Sequence, residues 1–368
     1  MFKFGRLRRI TRLIVLIASL VGCTSSNNGT EITFAPVGMA RLELADSTRL
    51  NWTEDGPRPL TTLIWYPARP GTPMETVAVP PGDALFVGGE AAFGAEIDAV
   101  RPHPVVMLSH GTGGAAFQMM WLGRALAERG YIAIAVDHHG NTSAEPAMDP
   151  KSFLFQWERA QDISAVLDLL QADENWSPLL DATDISAAGF SIGGYTMAVL
   201  AGAVTSYQQF QEFCASDQAT APCDGVAEYP NLNADTADLI AREPTLLVRL
   251  SDGFLNHSDQ RIAKFVLIAP GPGMILTKDS LRMLEPPALI IAGTADPVTP
   301  MPTNASRIAD LWQNSELAAL QDVTHYDFLA DCTQRGLDVV PVCQQASLNK
   351  QSAHQRAIDL TIRFLGSD

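Results

Sequence analysis

A chain of 368 residues, 46% hydrophobic and 18% charged, can bury a large core and lies outside the compositions of disordered and fibrous proteins. Its formal charge of −16 argues against nucleic acid as a partner, because phosphate binding draws on a basic surface that acidic groups outweigh here. An acidic, soluble enzyme acting on a small molecule fits these bounds.

The first segment departs from that balance. Lys3, Arg6, Arg8, Arg9 and Arg12 lead into the apolar run Leu13 to Gly22 with no Asp or Glu, the layout of a signal peptide. A spanning helix needs ~20 apolar residues, and this run is about half that. Residues 1–22 are therefore expected to be a leader, residues 23–36 a linker, and residues 37–368 one domain. The sequence Leu20-Val21-Gly22-Cys23 resembles the lipobox of bacterial lipoproteins. That resemblance implies lipidation of Cys23 and a periplasmic or cell-surface protein whose only membrane contact is its anchor. Four cysteines remain: Cys214, Cys223, Cys332 and Cys343. An even count in an exported chain favours disulfides over free thiols. Three connectivities are open; pairing Cys214 with Cys223 and Cys332 with Cys343 is preferred because each closes a short loop.

Short apolar runs alternating with helical patterns predict a mostly parallel sheet covered by helices. Leading strands are expected at Val37 to Leu44 and Thr61 to Tyr66, followed by a Gly/Pro-rich excursion from Pro70 to Pro104. The core pattern begins with the strand Val105 to Leu108, then His110-Gly111-Thr112-Gly113-Gly114 and a helix ending at Gly130. Tyr131 to Val136 opens after that glycine as the next strand. Ile163, Val166, Leu167 and Leu170 recur on one helix face. Asp184 to Gly189 is a strand running into Ser191, with a helix from Gly193 to Leu200. The pattern is lost between Thr205 and Arg261, which predicts an inserted cap at about 205–261. Strands resume at Phe265 to Ala269 and Ala288 to Ala292, and Ile358, Ile362 and Leu365 mark a closing amphipathic helix.

A serine hydroxyl needs a base, an acid that orients the base, and donors for an oxyanion before it can attack a carbonyl. Gly189-Phe190-Ser191-Ile192-Gly193 lies between a strand and a helix, the context of a nucleophile elbow. The oxyanion donors are then the backbone N–H groups of Ile192 and, from the loop after an earlier strand, Thr112. The acid and base should follow the serine in that order, which selects Asp296, at the end of a later strand, and His325, in a loop after Leu317 to Val323. Asp322 and Asp327 are nearer to His325 in sequence, but triad partners meet through the fold. His110, Gly113, His138 and His139 are candidates to line the pocket, with packing and loop hydrogen bonding the favoured role for His138 and His139. The adjacent pair His138 and His139 lacks a well-spaced third metal ligand, so no metal and no cofactor are expected.

Together, His110 to Gly114, Asp137 to Asn141, the Ser191 elbow, Gly293 to Asp296 and His325 resemble the α/β-hydrolase superfamily, from about Val37 to the C-terminus. Val37-Gly38, Arg58-Pro59-Leu60, Trp65-Tyr66-Pro67, Trp157-Glu158-Arg159 and His325 to Leu329 resemble dienelactone-hydrolase-like proteins and platelet-activating-factor acetylhydrolases. One departure is that dienelactone hydrolases proper use a cysteine where this chain has Ser191. The resemblance implies an α/β-hydrolase fold and hydrolysis of small or lipid-like carboxylic esters through an acyl-serine.

The same residues would serve an amidase or an acyltransferase, and a surface-anchored binding module remains as a non-catalytic alternative. Tyr207, Phe210, Phe213 and Phe254 are expected either to line an acyl pocket or to pack the cap.

Overall fold

The computed structural model describes residues 35–367 apart from Leu348. The expected leader, the lipidation site Cys23 and the linker up to residue 34 lie outside the described residues. Eleven strands occur among the described residues: β1 (Val37–Leu50), β2 (Pro57–Pro67), β3 (Glu75–Val79), β4 (Phe86–Phe93), β5 (His103–Ser109), β6 (Ile132–Val136), β7 (Leu180–Phe190), β8 (Lys264–Ile268), β9 (Ala288–Gly293), β10 (Ser315–Leu320) and β11 (Asp331–Cys332). They form one sheet in the order β10-β9-β8-β7-β5-β6-β2-β1-β4-β11, with β3 beside β4. From β6 through β5 to β10 the pairs are parallel, whereas β2 runs antiparallel to both β1 and β6.

The parallel part is buried on both faces, as continuous apolar strands require. Val105 and Met107 of β5 pack on one face with Ile163, Val166 and Leu167 of α2 (Glu158–Ala172) and with Tyr195 and Val199 of α3 (Ile192–Ala201). Val106 and Leu108 face the other way, against Leu122 and Leu126 of α1 (Met120–Ala127) and Ala353 and Ala357 of α4 (Lys350–Leu365). Successive strand residues point to opposite faces, so each strand stitches two helical layers together.

The expected excursion at Pro70 to Pro104 contains β3 and β4, which the sequence reading did not anticipate. β4 joins the sheet where Gly38 and Met39 pair with Ala92 and Phe93. Gly88 and Gly89 interrupt its apolar alternation and hide it. Residues 205–261 lie between α3 and β8 and form helices, including Tyr207–Cys214 and Leu232–Arg242, with Cys214 bridged to Cys223. The other bridge joins Cys332 to Cys343. Both pairings are the local ones preferred from the sequence.

The chain enters β6 on one side of β5, then crosses to β7 on the other. The carboxyl ends of β5 and β7 therefore flank a topological switch point, where open α/β sheets place their ligands.

Candidate active site

Ser191 sits at the turn from β7 into α3 with φ 57° and ψ −119°, an unfavourable backbone for a residue with a side chain. The turn closes only because its neighbours are glycines. A Cβ on Gly189 would come within 2.2 Å of the Gly193 carbonyl oxygen, and one on Gly193 within 2.1 Å of the Ser109 carbonyl oxygen. The Ser191 N–H donates to the Ile268 carbonyl (2.9 Å), which ties the elbow to β8.

The Ser191 Oγ lies 3.0 Å from His325 Nε2, and His325 Nδ1 lies 2.7 Å from Asp296 Oδ2. A carboxylate at Nδ1 keeps a proton there, so Nε2 is left to accept from the serine. His325 opens a short helical turn (His325–Phe328) rather than lying in open loop, and β10 stops at Leu320, earlier than expected. Asp296 is itself fixed: Oδ1 accepts the N–H groups of Val298 and Thr299 (2.8 Å each), and Oδ2 accepts the Thr299 hydroxyl (2.8 Å). Burial alone would raise its pKa, but the His325 charge and these donors outweigh it and hold the carboxyl below the usual range. Asp322 and Asp327 take no part in this chain. Asp327 instead accepts from Thr324 and Ser347, bracing the turn that carries His325.

Ser191 opens into a cavity of about 250 Å³ whose wall includes Thr112, Val226, Glu228, Pro272 and Tyr326. Ile192 is the first residue of α3, so its N–H has no acceptor within the helix. Among the described residues the N–H of Thr112 also has no acceptor. Both candidate oxyanion donors are thus unspent and belong to residues at the serine or in the cavity wall. Such donors, aimed at a developing oxyanion, are what a tetrahedral intermediate requires.

Four proposed pocket residues are placed elsewhere. His110, Gly113, His138 and His139 are absent from the wall of this cavity. His110 is buried: it accepts the His138 N–H at Nε2 (3.2 Å), so the Nδ1 proton goes to the Gly111 carbonyl (2.7 Å). Gly113 gives its N–H to Asn141 Oδ1 (2.8 Å). His139 bonds Glu145 (2.7 Å) and takes the Trp52 N–H (3.1 Å). His138 reaches Asp162 Oδ2 through Nδ1 (3.0 Å) and Ser109 Oγ through Nε2 (2.9 Å). Burial, and then the charge of Arg159, lower His138 to about 3. These residues build the floor under the Thr112 loop. Tyr207, Phe210, Phe213 and Phe254 also lie outside the cavity wall.

The most connected part of that floor runs through Arg159 and Arg58, which stood out in the sequence only as carriers of the family resemblance. Arg159, buried, donates to Ser109 Oγ (3.3 Å), Thr196 Oγ1 (3.2 Å) and the His110 carbonyl, so one guanidinium joins β5, α3 and the Thr112 loop. Asp162 accepts from Arg58 Nε (2.6 Å) and from Arg49 (2.7 Å); burial opposes its charge, but Arg58 and Arg49 hold it well below the carboxylate range. Thr299, three residues past Asp296, was detectable only as a turn residue after proline.

A serine, histidine and aspartate linked in this order, on an elbow at the carboxyl end of a central parallel strand, define a hydrolase of the α/β type. The chain belongs to the alpha/beta hydrolase family, whose family model matches residues 105–335. It is 28% identical over 152 residues to the cutinase Est1 of Thermobifida alba, a match spanning 41% of this chain and 47% of that protein. The chain thus matches about half the length of that curated relative. The fold is shared with a ferulic acid esterase from Streptomyces cinnamoneus, at 20% identity and a TM-score of 0.53, over 92% of this chain and 90% of that one.

Proposed function

We propose that the chain is a carboxylic-ester hydrolase that works through an acyl-serine. His325 Nε2 takes the hydroxyl proton as Ser191 Oγ attacks the ester carbonyl, and Asp296 stabilises the imidazolium that forms. The Thr112 and Ile192 N–H groups receive the oxyanion. The imidazolium then protonates the leaving alkoxide, and in the second half a water, deprotonated by the same nitrogen, releases the acid. The unbroken Ser191–His325–Asp296 chain, at 3.0 and 2.7 Å, carries this reading. The partial match to a cutinase supports esters as the bond class. A cavity of about 250 Å³ favours short acyl groups over long ones.

The test is a chain-length series of nitrophenyl esters with Ser191→Ala as control, beside labelling by a fluorophosphonate. Activity should be greatest for short acyl chains and vanish with the serine. Labelling or turnover that survives Ser191→Ala would overturn the assignment. Export with lipidation of Cys23 is the matching proposal for location. Two disulfides suit an oxidising compartment, and Cys23→Ser should release the protein from the membrane fraction.

A further inference from the structure

We propose that Glu228 makes the Ser191 cavity select its esters by charge, accepting groups that are cationic or neutral and rejecting those that carry a carboxylate. The inference rests on the ester-hydrolase reading of Ser191 and names the substrate class for that site. Among the residues lining the cavity, Glu228 is the one with a formal charge; the others are uncharged, among them Thr112, Val226, Pro272 and Val298.

The carboxylate is held by one hydrogen bond, and its stem lies beside the Thr112 loop. Its Oε1 accepts the hydroxyl of Tyr326 at 2.9 Å, and Tyr326 directly follows His325. Its Cβ faces the Thr112 loop, since a methyl added at Gly113 would approach it to 3.1 Å. Glu228 therefore spans the cavity between the loop with the oxyanion donor and the loop with the base. Burial first, and the neighbouring carboxylate second, drive the Tyr326 phenol far above its ordinary value, so Tyr326 remains a donor and supplies no countercharge.

No cation neutralises the group. Among the described residues Glu228 makes no ion pair with Lys, Arg or His, and no basic side chain lines the cavity. Two buried carboxylates near the site are matched by cations, Asp296 by His325 and Asp162 by Arg49 and Arg58, whereas the half-buried Glu228 has only the Tyr326 hydroxyl. An uncompensated charge in a walled cavity acts at a lower effective dielectric than in water, and its field is focused on whatever enters. The net charge of −16 adds no opposing potential.

The experiment compares matched short nitrophenyl esters that end, at the far acyl carbon, in a methyl, a trimethylammonium or a carboxylate group. A second set carries the same three groups on the alcohol. At an effective dielectric near ~20, a charge several ångströms away changes kcat/KM by at least ~10-fold, so the wild type should rank cationic, neutral, anionic with about that step between the extremes. Glu228→Gln keeps an acceptor for Tyr326 and should bring the extremes within ~3-fold, and Glu228→Lys should invert the order. Each ratio is measured within one preparation, so partial unfolding cancels. Ser191-dependent turnover with a flat ranking in both sets, or a ranking unmoved by Glu228→Gln, overturns charge selection and leaves ester hydrolysis standing. Absence of Ser191-dependent turnover and of fluorophosphonate labelling removes both.

Discussion

Replacing Asp296 with Asn should abolish most activity without removing a single atom of bulk. The carboxylate Oδ1 takes two backbone N–H groups, from Val298 and Thr299, at 2.8 Å each. An asparagine that put its NH2 there would set donor against donor and forfeit both bonds, at roughly 1 to 3 kcal/mol for each unsatisfied group. The amide must instead keep its carbonyl at that position, which places the NH2 where Oδ2 now lies, 2.7 Å from His325 Nδ1. It then donates to Nδ1, and the imidazole proton moves to Nε2, facing the Ser191 hydroxyl 3.0 Å away. The base becomes a donor. The expected loss in kcat is about 10⁴-fold, or ~5.5 kcal/mol of barrier, the scale of forcing the wrong tautomer on a catalytic histidine. Steady-state hydrolysis of a short nitrophenyl ester reads it, with circular dichroism as the check on folding. A folded Asp296→Asn protein that keeps more than a tenth of the wild-type kcat would refute the role given to Asp296.

Arg159→Met should lower kcat by roughly 10- to 100-fold by freeing the His110 carbonyl and the loop that carries Thr112, and should cost ~3 kcal/mol of stability from the broken buried network; unchanged kcat would show that the loop holds itself. Replacing Cys214 and Cys223 together by Ser opens a loop with a sequence separation of 9 and should lower the unfolding free energy by about 2 to 3 kcal/mol, read from urea midpoints. Mild acid should destabilise the protein through its buried histidines. His138 and His354 are both lowered to about 3, by burial first, so between pH 6.5 and 5 the unfolded chain takes up protons that the folded chain refuses. Stability therefore falls as pH falls, by ~2 kcal/mol per histidine at pH 5. Asp137, raised by burial to about 6, works in the opposite sense and returns ~1.4 kcal/mol at that pH. The net fall of about 2 to 3 kcal/mol would be contradicted by equal urea stability at pH 7 and pH 5.

The parallel core was legible because its strands are buried on both faces and so read as unbroken apolar runs, as in Phe265 to Ile268 and Ala288 to Ala292. The meeting of Ser191, Asp296 and His325 was legible because an elbow needs glycines at fixed spacing and its partners follow in a known order. β4 was not, since its pairing rests on backbone hydrogen bonds that its two glycines also provide while they erase the side-chain pattern. His138 and His139 were open to a pocket role because they follow a core strand at the site end of the sheet, but the favoured role of packing and loop hydrogen bonding holds: the two rings bond Asp162 and Glu145. Glu228 gave no signal at all, since it sits in an insertion without periodicity and reaches Tyr326 across 98 positions of sequence.

The fold contains a second serine–histidine–aspartate chain, and the differences between the two isolate what the proposed chemistry asks of the first. Asp162, His138 and Ser109 stand at 3.0 and 2.9 Å, close to the 2.7 and 3.0 Å of Asp296, His325 and Ser191. Hydrogen-bond order and length therefore do not distinguish them. Ser109 ends a central strand and has no exposed surface, whereas Ser191 is lifted by a strained elbow into the wall of a cavity. Ser109 Oγ also accepts from Arg159, a bond that withdraws electron density from the oxygen and occupies a lone pair an attack would need. His138 is neutral down to about pH 3 because burial and Arg159 penalise its charge, so it could not hold the proton of a departing hydroxyl. Asp162 spends its charge on Arg49 and Arg58 and has little left to stabilise an imidazolium. The inner chain thus uses the same groups for stiffness, locking the end of β5 so that the loop bearing Thr112 leaves it in one direction, while the outer chain has the access, the free lone pair and the carboxylate without a competing guanidinium that the proposed chemistry needs.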